Sequence, residues 1–307
     1  MKLLITGGAG FIGSHIANYY YEKSHEVFVL DNLVSGYREN IPFIDEKHFF
    51  EVDVCDTAKV EEIIKTYQFD VVIHLAAVVS VVDTVNDPLM SSEVNINATV
   101  NLLEINRLYN AQLRKFIFAS SAAVYGNDPQ LPKSIHSMIQ PESPYAIQKY
   151  AGEQYTKLYH HLYGLPTTAL RFFNTYGPKQ DPNSQYAGVI SIIKRKFENN
   201  ETFTFFGDGE QTRDFMYIKD LIQGLVCVID NDCTNGEVLN VGTGKQTSLK
   251  DIFHAFEASY NKKIEYRFEP ERKGDVKHSV SDITELKDIG YNPQYTISRG
   301  LEEYLNS

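Results

Sequence analysis

Residues 3–20 read LLITGGAGFIGSHIANYY, which joins a short apolar run, a glycine-rich turn and an amphipathic segment. Gly7, Gly10 and Gly13 follow the spacing GxxGxxG. Because glycine has no Cβ, such a turn can be tight, can approach a pyrophosphate closely and can let the next helix pack on the strand. The N-terminus of that helix offers N–H groups and a positive dipole end to phosphates. The stretch predicts a strand–turn–helix unit that binds a dinucleotide; an ordinary glycine turn is the alternative.

The next apolar strand indicates which dinucleotide is bound. EVFVL begins at Glu26 and leads into Asp31, whose carboxylate can accept hydrogen bonds from the hydroxyls of an adenine ribose. The same carboxylate would repel a 2′-phosphate, and the residue that follows is Asn32 rather than an arginine. We therefore expect NAD rather than NADP.

Strands and helices alternate through the first half of the chain. Such alternation is typical of a parallel, doubly wound sheet that binds ligands at the carboxyl ends of its strands. The pattern predicts strands at 2–6, 26–31, 48–53, 70–76, 115–120 and 167–173, and helices at 11–22, 57–67, 88–110 and 145–163.

The second half has a different pattern. We predict helices within 186–200 and 249–262, a strand within 201–207, and a return to the main sheet by 214–230 and 237–242. The predicted class is α/β: a Rossmann-type doubly wound parallel sheet with a smaller mixed α/β substrate-binding lobe. The NAD-binding domain would comprise 1–173 and returning segments near 214–243, and the interleaved lobe would comprise 174–213 and 244–307.

Two motifs carry acid–base chemistry. SPYAIQKYAGEQY contains Tyr145 and Lys149, which lie one turn apart on one helix face, and FASSAAVYG supplies Ser121. A phenol titrates near pH ~10, so alone it is a poor base at neutral pH. A nearby ammonium favours the phenolate and lowers its pKa, and a serine hydroxyl can relay the proton. Such a group can take a proton from an alcohol while a cofactor takes the hydride. By itself, however, a YxxxK pair is also a common feature of helix surfaces.

Seven stretches together resemble one known family: TGGAGFIGSH, HLAA, SSAAVYG, PYAIQK, RFFNTYGP, GDGEQTRDF and RKGD. The chain is similar over essentially its whole length to the extended short-chain dehydrogenases/reductases. More narrowly, it resembles the NAD-dependent 4-epimerases of UDP-galactose and UDP-N-acetylglucosamine. The resemblance implies an isomerase whose bound NAD takes the hydride from the sugar C4 and returns it to the opposite face of a 4-keto sugar.

The resemblance implies a catalytic triad of Ser121, Tyr145 and Lys149. Tyr145 would abstract the proton of the 4-hydroxyl, Lys149 would bind the nicotinamide ribose and lower the phenol pKa, and Ser121 would contact the 4-oxygen. A strand end of small residues packed under a helix is the alternative interpretation of SSAAVYG. The predicted cofactor-binding residues are Gly7, Gly10, Phe11, Ile12, Asp31, Asn32, Asp53, Val54, Leu75, Ala76, Ala77, Asn95, Tyr145 and Lys149. For several of these, Leu75 above all, plain core packing is the alternative.

The substrate would be a UDP-sugar, whose diphosphate requires cations. Arg213 and Arg272 match the family's diphosphate-binding arginines, and the planar guanidinium suits bidentate phosphate binding. An ion pair between Arg213 and Asp214 competes with that role. The predicted substrate-binding residues are Ser80, Ser120, Ser121, Asn174, Val189, Thr204, Arg213, Arg272, Asp275 and Ser279. Among these, Asn174 would contact the diphosphate, and Val189 and Thr204 would lie in the uridine pocket.

One position bears on the size of the sugar. Ser279 stands where a tyrosine in the family closes the pocket around the 2-substituent. A small side chain leaves room for an N-acetyl group, so we expect turnover of UDP-GlcNAc and UDP-GalNAc, together with UDP-glucose and UDP-galactose. An open pocket permits the larger sugar without creating a preference for it.

Three other functions remain as alternatives. A nucleotide-sugar 4,6-dehydratase needs an acid–base pair where this chain has Ala122 and Ala123, whose methyl groups transfer no proton. A UDP-glucuronate 4-epimerase tends to have threonine in place of Asn174 and needs partners for the sugar carboxylate. A non-catalytic NAD-binding regulator often lacks the tyrosine or the lysine, and both are present here.

Composition limits the partners. The net charge of −11 and the lack of a basic cluster argue against nucleic acid or an anionic membrane. Three cysteines without metal or redox spacing and an N-terminus that begins as a strand favour a cytoplasmic protein without a metal. The family resemblance also implies a homodimer that forms a four-helix bundle from the helices near 88–110 and 145–163.

Overall fold

The computed structural model describes residues 1–180, 188–271 and 276–306. The first half of the chain alternates strands and helices, as the pattern predicts. Its strands are β1 (Lys2–Thr6), β2 (Glu26–Asp31), β3 (Phe49–Glu51), β4 (Val71–His74), β5 (Lys115–Ser121) and β6 (Thr167–Phe172). Its helices are α1 (Phe11–Glu22), α2 (Thr57–Tyr67), α3 (Val81–Asn86), α4 (Pro88–Ser92), α5 (Ala98–Tyr109) and α6 (Pro144–Tyr163).

The second half contributes shorter strands between helices. Its strands are β7 (Asn174–Tyr176), β8 (Phe203–Phe206), β9 (Thr212–Arg213), β10 (Phe215–Tyr217), β11 (Val238–Val241), β12 (Thr247–Ser248) and β13 (Tyr266–Glu269). Its helices are α7 (Val189–Asn199), α8 (Ile218–Ile229), α9 (Leu249–Tyr260), α10 (Thr284–Asp288) and α11 (Ile297–Leu305).

Within the described residues, seven strands form one sheet in the order β11-β6-β5-β4-β1-β2-β3, and every pair in it is parallel. Leu3 and Ile5 pack into the core on one face of this sheet, whereas Leu4 packs into the core on the other face. Because helices cover both faces, the strands read as continuous apolar runs rather than alternating ones. This is the doubly wound α/β sheet that the sequence predicts.

Helix α6 carries its own start and stop signals. Ser143 Oγ accepts a hydrogen bond from the N–H of Ala146 at 3.2 Å, and Pro144 occupies the first turn, where its missing N–H costs nothing. Gly164 ends the helix in the left-handed conformation, with φ of +68°. These signals fix the position of Tyr145 in the first turn of the helix.

The single helix predicted at 88–110 is interrupted in the structure. Helix α4 ends at Ser92, a π-helical turn occupies Glu93–Asn97, and α5 begins at Ala98. The wider turn accompanies a buried amide at Asn95, whose contacts lie outside the helix. Such single π-turns are frequent at functional sites. Helix α3, which precedes α4, was not predicted.

Some predicted strand ends and one sheet assignment also differ from the structure. Strands β3 and β4 are shorter than predicted, so Asp53 and Leu75 lie in the loops beyond them. Strand β10 does not enter the main sheet; it pairs in parallel with β7, whereas β11 joins the main sheet beside β6. Strands β7 and β10 form a two-stranded sheet of their own. The division of the chain into domains stays a prediction.

In the part of the chain that the structure describes, no helix combines the length and the apolar character that crossing a membrane requires.

Candidate active site

The glycine turn between β1 and α1 is sterically restricted. Gly7 has φ of +69°, and a Cβ there would lie 2.8 Å from the backbone nitrogen of Ala76. A Cβ at Gly13 would lie 2.3 Å from the carbonyl oxygen of Gly7. Gly10 is the N-cap of α1 and provides no side-chain cap for the first N–H groups of that helix. The turn therefore brings bare backbone and a helix N-terminus to the carboxyl end of β1, which is the arrangement that binds a pyrophosphate.

Substitution of Gly13 by alanine tests this turn. We expect the affinity for NAD to fall by about tenfold or more, because the new methyl group must push α1 away from Gly7 and displace the phosphate-binding N–H groups. Gly224→Ala, within α8, is the matched control, since its Cβ would meet side chains of the core at 3.3 Å rather than backbone. Calorimetric titration with NAD measures both variants. A Gly13→Ala protein with wild-type affinity would contradict the assignment.

Asp31 at the end of β2 is fixed by backbone groups. Its Oδ2 accepts from the N–H of Ala9 and its Oδ1 from the N–H of Leu33, each at 2.9 Å. Burial raises the pKa of Asp31 above its usual value, and these hydrogen bonds counter part of that rise. The carboxylate stands beside the glycine turn and keeps lone pairs that suit the two hydroxyls of a ribose.

Asn32 and Asp53 form a second polar contact on this side. The Asn32 amide donates to Asp53 Oδ2 at 2.8 Å, and the N–H of Cys55 donates to Oδ1 at 2.8 Å. Burial acts to raise the pKa of Asp53, but these hydrogen bonds outweigh it and the pKa is lowered. Asp53 is exposed and Val54 is buried. Direct contact of either residue with adenine stays a prediction.

The segment after β4 lies against the glycine turn. The N–H groups of Leu75 and Ala76 donate to the carbonyl and the hydroxyl oxygen of Thr6, at 3.1 and 3.3 Å. The same hydroxyl contacts His74 Nδ1 at 2.7 Å, and burial lowers the pKa of that imidazole to about 3. His74, which the sequence reasoning missed, is therefore a neutral group that ties β1 to β4 beneath the predicted NAD site.

Asn95 is buried, and its amide contacts lie within the protein. Its Oδ1 accepts from the N–H of Val78 at 2.8 Å, and its Nδ2 donates to the carbonyl of Val78 at 3.0 Å and to Gln148 Oε1 at 2.7 Å. These contacts hold the loop after Ala77 against the helix that carries Lys149. They suit a residue that shapes the nicotinamide side of the site; direct contact with the cofactor stays a prediction.

The three predicted catalytic residues lie together where α6 crosses the end of β5. Ser121 lies beside Tyr145, close enough for its hydroxyl to favour the phenolate. Lys149 Nζ donates to the carbonyl of Ala119 at 2.9 Å and lies 5.9 Å from the centroid of the Tyr145 ring. Lys149 is almost fully buried. The side-chain arrangement therefore matches the spacing argument from the sequence.

The predicted lowering of the Tyr145 pKa by Lys149 stays a prediction. Burial raises the pKa of Tyr145, and the neighbouring Ser121 hydroxyl offsets part of this rise. Burial also lowers the pKa of Lys149 to about 8. The ammonium group binds a backbone carbonyl rather than the phenol, so burial outweighs its attraction for a phenolate.

Three predicted substrate residues meet around β9 and β10. Pairing of β7 with β10 sets Asn174 opposite Phe215, and the N–H of Asn174 donates to the carbonyl of Asp214 at 3.1 Å. The N–H of Ser279 donates to the carbonyl of Thr212 at 3.1 Å, which brings Ser279 beside Arg213. Asn174, Arg213 and Ser279 thus border one region, although they are far apart in sequence.

The alternative ion pair of Arg213 with Asp214 finds no support in the contacts of the carboxylate. Asp214 accepts from the backbone and hydroxyl groups of Thr243 and Ser281 and from the N–H of Gly244. The Arg213 guanidinium donates to the carbonyls of Thr212 and Lys277 at 2.9 and 3.3 Å. Asp214 therefore holds the backbone after β11 next to Ser281. The Arg213 guanidinium donates to two backbone carbonyls.

The remaining predicted substrate residues have other contacts. Ser80 caps α3 by accepting from the N–H of Asp83 at 2.8 Å, and Ser120 donates to Glu153 Oε2 at 3.0 Å. Thr204 accepts from Arg267 Nε at 3.1 Å, and Val189 packs against the core at the start of α7. Their substrate roles stay predictions. Arg272 and Asp275 lie outside the described residues.

The residues around the glycine turn fit NAD. Gly7 has a positive φ, and a Cβ at Gly7 or Gly13 would clash with neighbouring backbone, so the turn stays tight and keeps bare N–H groups at the helix N-terminus. The Asp31 carboxylate suits an unphosphorylated ribose. Lys149, together with Ser121 and Tyr145, lies at the carboxyl end of β5, two strands away in the same sheet. That is the expected reach of a dinucleotide along the sheet edge.

Comparisons with known proteins agree with this geometry. A family model described as the NAD dependent epimerase/dehydratase family matches residues 3–242. A putative UDP-glucose 4-epimerase of Methanocaldococcus jannaschii is 38% identical over 305 residues, which are 99% of this chain and 97% of that protein.

Two solved structures are similar over nearly the whole chain. A UDP-N-acetylglucosamine 4-epimerase from Methanobrevibacter ruminantium, in complex with UDP-N-acetylmuramic acid, is 37% identical with a TM-score of 0.92, over 99% of this chain and 97% of that one. A UDP-glucuronic acid 4-epimerase from Bacillus cereus, in complex with UDP-glucuronic acid and NAD, is 31% identical with a TM-score of 0.90, over 100% and 98%.

Proposed function

Because the chain belongs to the NAD-dependent epimerase/dehydratase family, we propose that it interconverts UDP-GlcNAc and UDP-GalNAc by inversion at C4, and that it also acts on UDP-glucose and UDP-galactose. It is an NAD-dependent isomerase of UDP-sugars. The choice of N-acetylated sugars rests on one observation: Ser279, a small residue, stands beside Arg213, where the sugar of a bound nucleotide diphosphate would lie.

Ser121 at the end of β5 and Tyr145 and Lys149 on α6 perform the proton transfer. Tyr145, as the phenolate, takes the proton from the sugar 4-hydroxyl, and the neighbouring Ser121 hydroxyl favours that charged form. Ser121 then donates to the 4-oxygen as it becomes a carbonyl. Lys149, with a pKa of about 8, is still mainly protonated at pH 7, so its charge favours the phenolate once substrate has arrived. NAD, when bound, supplies the hydride acceptor and donor.

The same residues serve both halves of the reaction. After the sugar turns about its bond to the diphosphate, the opposite face of the ketone meets the same groups. Tyr145 returns the proton to the oxygen, so the protein ends in the protonation state in which it began. Ala122 and Ala123 follow Ser121 directly and offer no acid–base group for elimination of water, which favours epimerisation over dehydration.

Turnover of four UDP-sugars tests the substrate assignment. We expect conversion of UDP-GlcNAc, UDP-GalNAc, UDP-glucose and UDP-galactose, each supplied with NAD and followed by the anomeric proton signals in NMR. UDP-glucuronate is the alternative substrate, because a related structure contains it. Turnover confined to UDP-glucuronate would contradict the proposed substrate class and leave the reaction type standing.

Enlargement of residue 279 should change the choice of sugar. We expect Ser279→Tyr to lower kcat/KM for UDP-GlcNAc by about tenfold to a hundredfold relative to UDP-glucose, because the ring would fill the space of the N-acetyl group. Ser279→Ala is the control and should leave the ratio unchanged, since it stays small. An unchanged ratio for Ser279→Tyr would show that the 2-substituent lies elsewhere.

The outer face of α6 supports a homodimer. Its exposed apolar residues recur at helical spacing, namely Ile147, Tyr155, Leu158 and Leu162. A face of this kind, which adjoins α5 in the fold, suits a second copy of the chain in a four-helix bundle. We expect Leu158→Asp to give monomers in light scattering. Val34→Asp also places a carboxylate at an exposed apolar residue, but away from α6, and should leave the dimer intact. Dimers of both variants would contradict this interface.

A further inference from the structure

A buried ion pair stands directly behind the catalytic residues. Glu153 lies on α6 two turns beyond Tyr145, on the same helix face as Lys149. Its carboxylate is fully buried and accepts from Arg171 Nε and Nη2 at 2.8 and 2.7 Å and from Ser120 Oγ at 3.0 Å. Ser120 and Arg171 are direct neighbours in the register of β5 and β6. Glu153 therefore clamps α6 to both strands beside Ser121.

The network continues through one tyrosine hydroxyl. Arg171 Nη1 donates to the hydroxyl of Tyr125 at 2.8 Å, and that hydroxyl donates to Asn240 Oδ1 at 2.7 Å. Tyr125 ends the 3₁₀ turn that follows Ser121 and is almost completely buried. The phenol oxygen is thus the link between the catalytic end of β5 and β11.

Asn240 extends the network to the segment that carries Ser279. Its Nδ2 donates to the carbonyls of Lys133 and Asp282 at 2.8 and 3.1 Å. Lys133 is itself paired with this segment: its N–H donates to the carbonyl of Val280, and the N–H of Asp282 donates to the carbonyl of Lys133, both at 2.8 Å. The residue after Ser279 is therefore held by the same network that holds Ser120.

We propose that Tyr125 is a positioning residue whose hydroxyl keeps the segment at Ser279 aligned with Ser121, so that C4 of the sugar is presented to Tyr145. The inference rests on the proposed function, in which the sugar lies between these two parts. A displacement of about 1 Å at a reacting centre can cost about a hundredfold in rate. Ser120 belongs to this network through its hydrogen bond with Glu153.

Tyr125→Phe cuts the link while it preserves the ring. We expect kcat for the UDP-sugar that the wild type converts to fall by about tenfold or more, with KM changed by less than about twofold, because the loss concerns alignment rather than binding. Tyr291→Phe is the matched control: this buried tyrosine donates to the carbonyl of Gly242 at 2.8 Å, outside the network. Its kcat should stay within about twofold of the wild type.

Hydrogen exchange on the protein without ligand gives a second readout. We expect Tyr125→Phe to raise amide exchange in both 120–125 and 280–283, because the Tyr125 hydroxyl joins these two segments. Tyr291→Phe should leave exchange in both segments unchanged. If Tyr125→Phe does not fold, Asn240→Ala cuts the same link and carries the same expectations.

The outcomes separate this inference from the proposed function. Equal kcat values for Tyr125→Phe and Tyr291→Phe, or exchange that rises near Tyr125 alone, would overturn the positioning role. A wild type that converts no UDP-sugar would contradict the proposed function. In that case the hydrogen exchange of Tyr125→Phe tests the link through the Tyr125 hydroxyl. Faster exchange in both 120–125 and 280–283 supports the link, and faster exchange in 120–125 alone overturns it.

Discussion

Replacement of Tyr145 by phenylalanine is expected to lower kcat by about 10²- to 10⁴-fold, the usual contribution of general acid–base catalysis. The half-buried phenol lies beside Ser121, and the centroid of its ring is 5.9 Å from Lys149 Nζ. Phenylalanine keeps the ring and its packing but removes the group that exchanges a proton with the sugar oxygen. KM and NAD affinity should change little, because neither depends on that proton.

Steady-state kinetics of Tyr145→Phe and a matched control measure this effect. Tyr21→Phe is the control, since Tyr21 lies in the last turn of α1 with an exposed ring and takes no part in the proposed chemistry. It should retain kcat within about twofold. A Tyr145→Phe variant that keeps more than about a tenth of wild-type kcat would exclude the phenol as the essential acid–base group.

Loss of the buried arginine should have the largest effect on stability. Arg171→Met is expected to lower the free energy of unfolding by about 3–5 kcal/mol, because it leaves the Glu153 carboxylate buried without the cation that donates to both of its oxygens. Removal of both charges in Arg171→Met/Glu153→Leu should recover much of the loss, since no unpaired charge then remains.

Urea denaturation compares these variants with an exposed pair. Arg267 and Glu269 also form an ion pair, at 2.9 Å, but both side chains are exposed. Arg267→Met should therefore cost about 1 kcal/mol or less. If Arg171→Met were no less stable than Arg267→Met, the clamp would contribute nothing to the fold.

The sequence was sufficient where the signal is local. The glycine spacing after β1 and the YxxxK spacing on α6 depend on neighbours within a few residues, and the structure places the side chains of Ser121, Tyr145 and Lys149 together as predicted. The parallel sheet follows from the alternation of apolar runs with helices, which is also a local property.

Long-range contacts explain what the sequence did not reveal. The π-helical turn at Asn95 depends on the backbone of Val78 and on Gln148, which is 53 residues away. Tyr125 and Asn240 are 115 residues apart, so nothing in either motif indicates that they form a hydrogen bond. The raised pKa of Tyr145 has the same origin, because the depth of a phenol in the folded protein is not encoded in the spacing of Tyr145 and Lys149.

The most direct test of the account follows the hydrogen at C4. UDP-GlcNAc that carries deuterium at C4 is incubated in ordinary water with the protein and NAD, and the products are examined by NMR and mass spectrometry. The account predicts UDP-GalNAc that retains the deuterium at C4, because only the oxygen-bound proton passes through Tyr145 and water. Absence of UDP-GalNAc, or a product that has lost its deuterium to water, would contradict it.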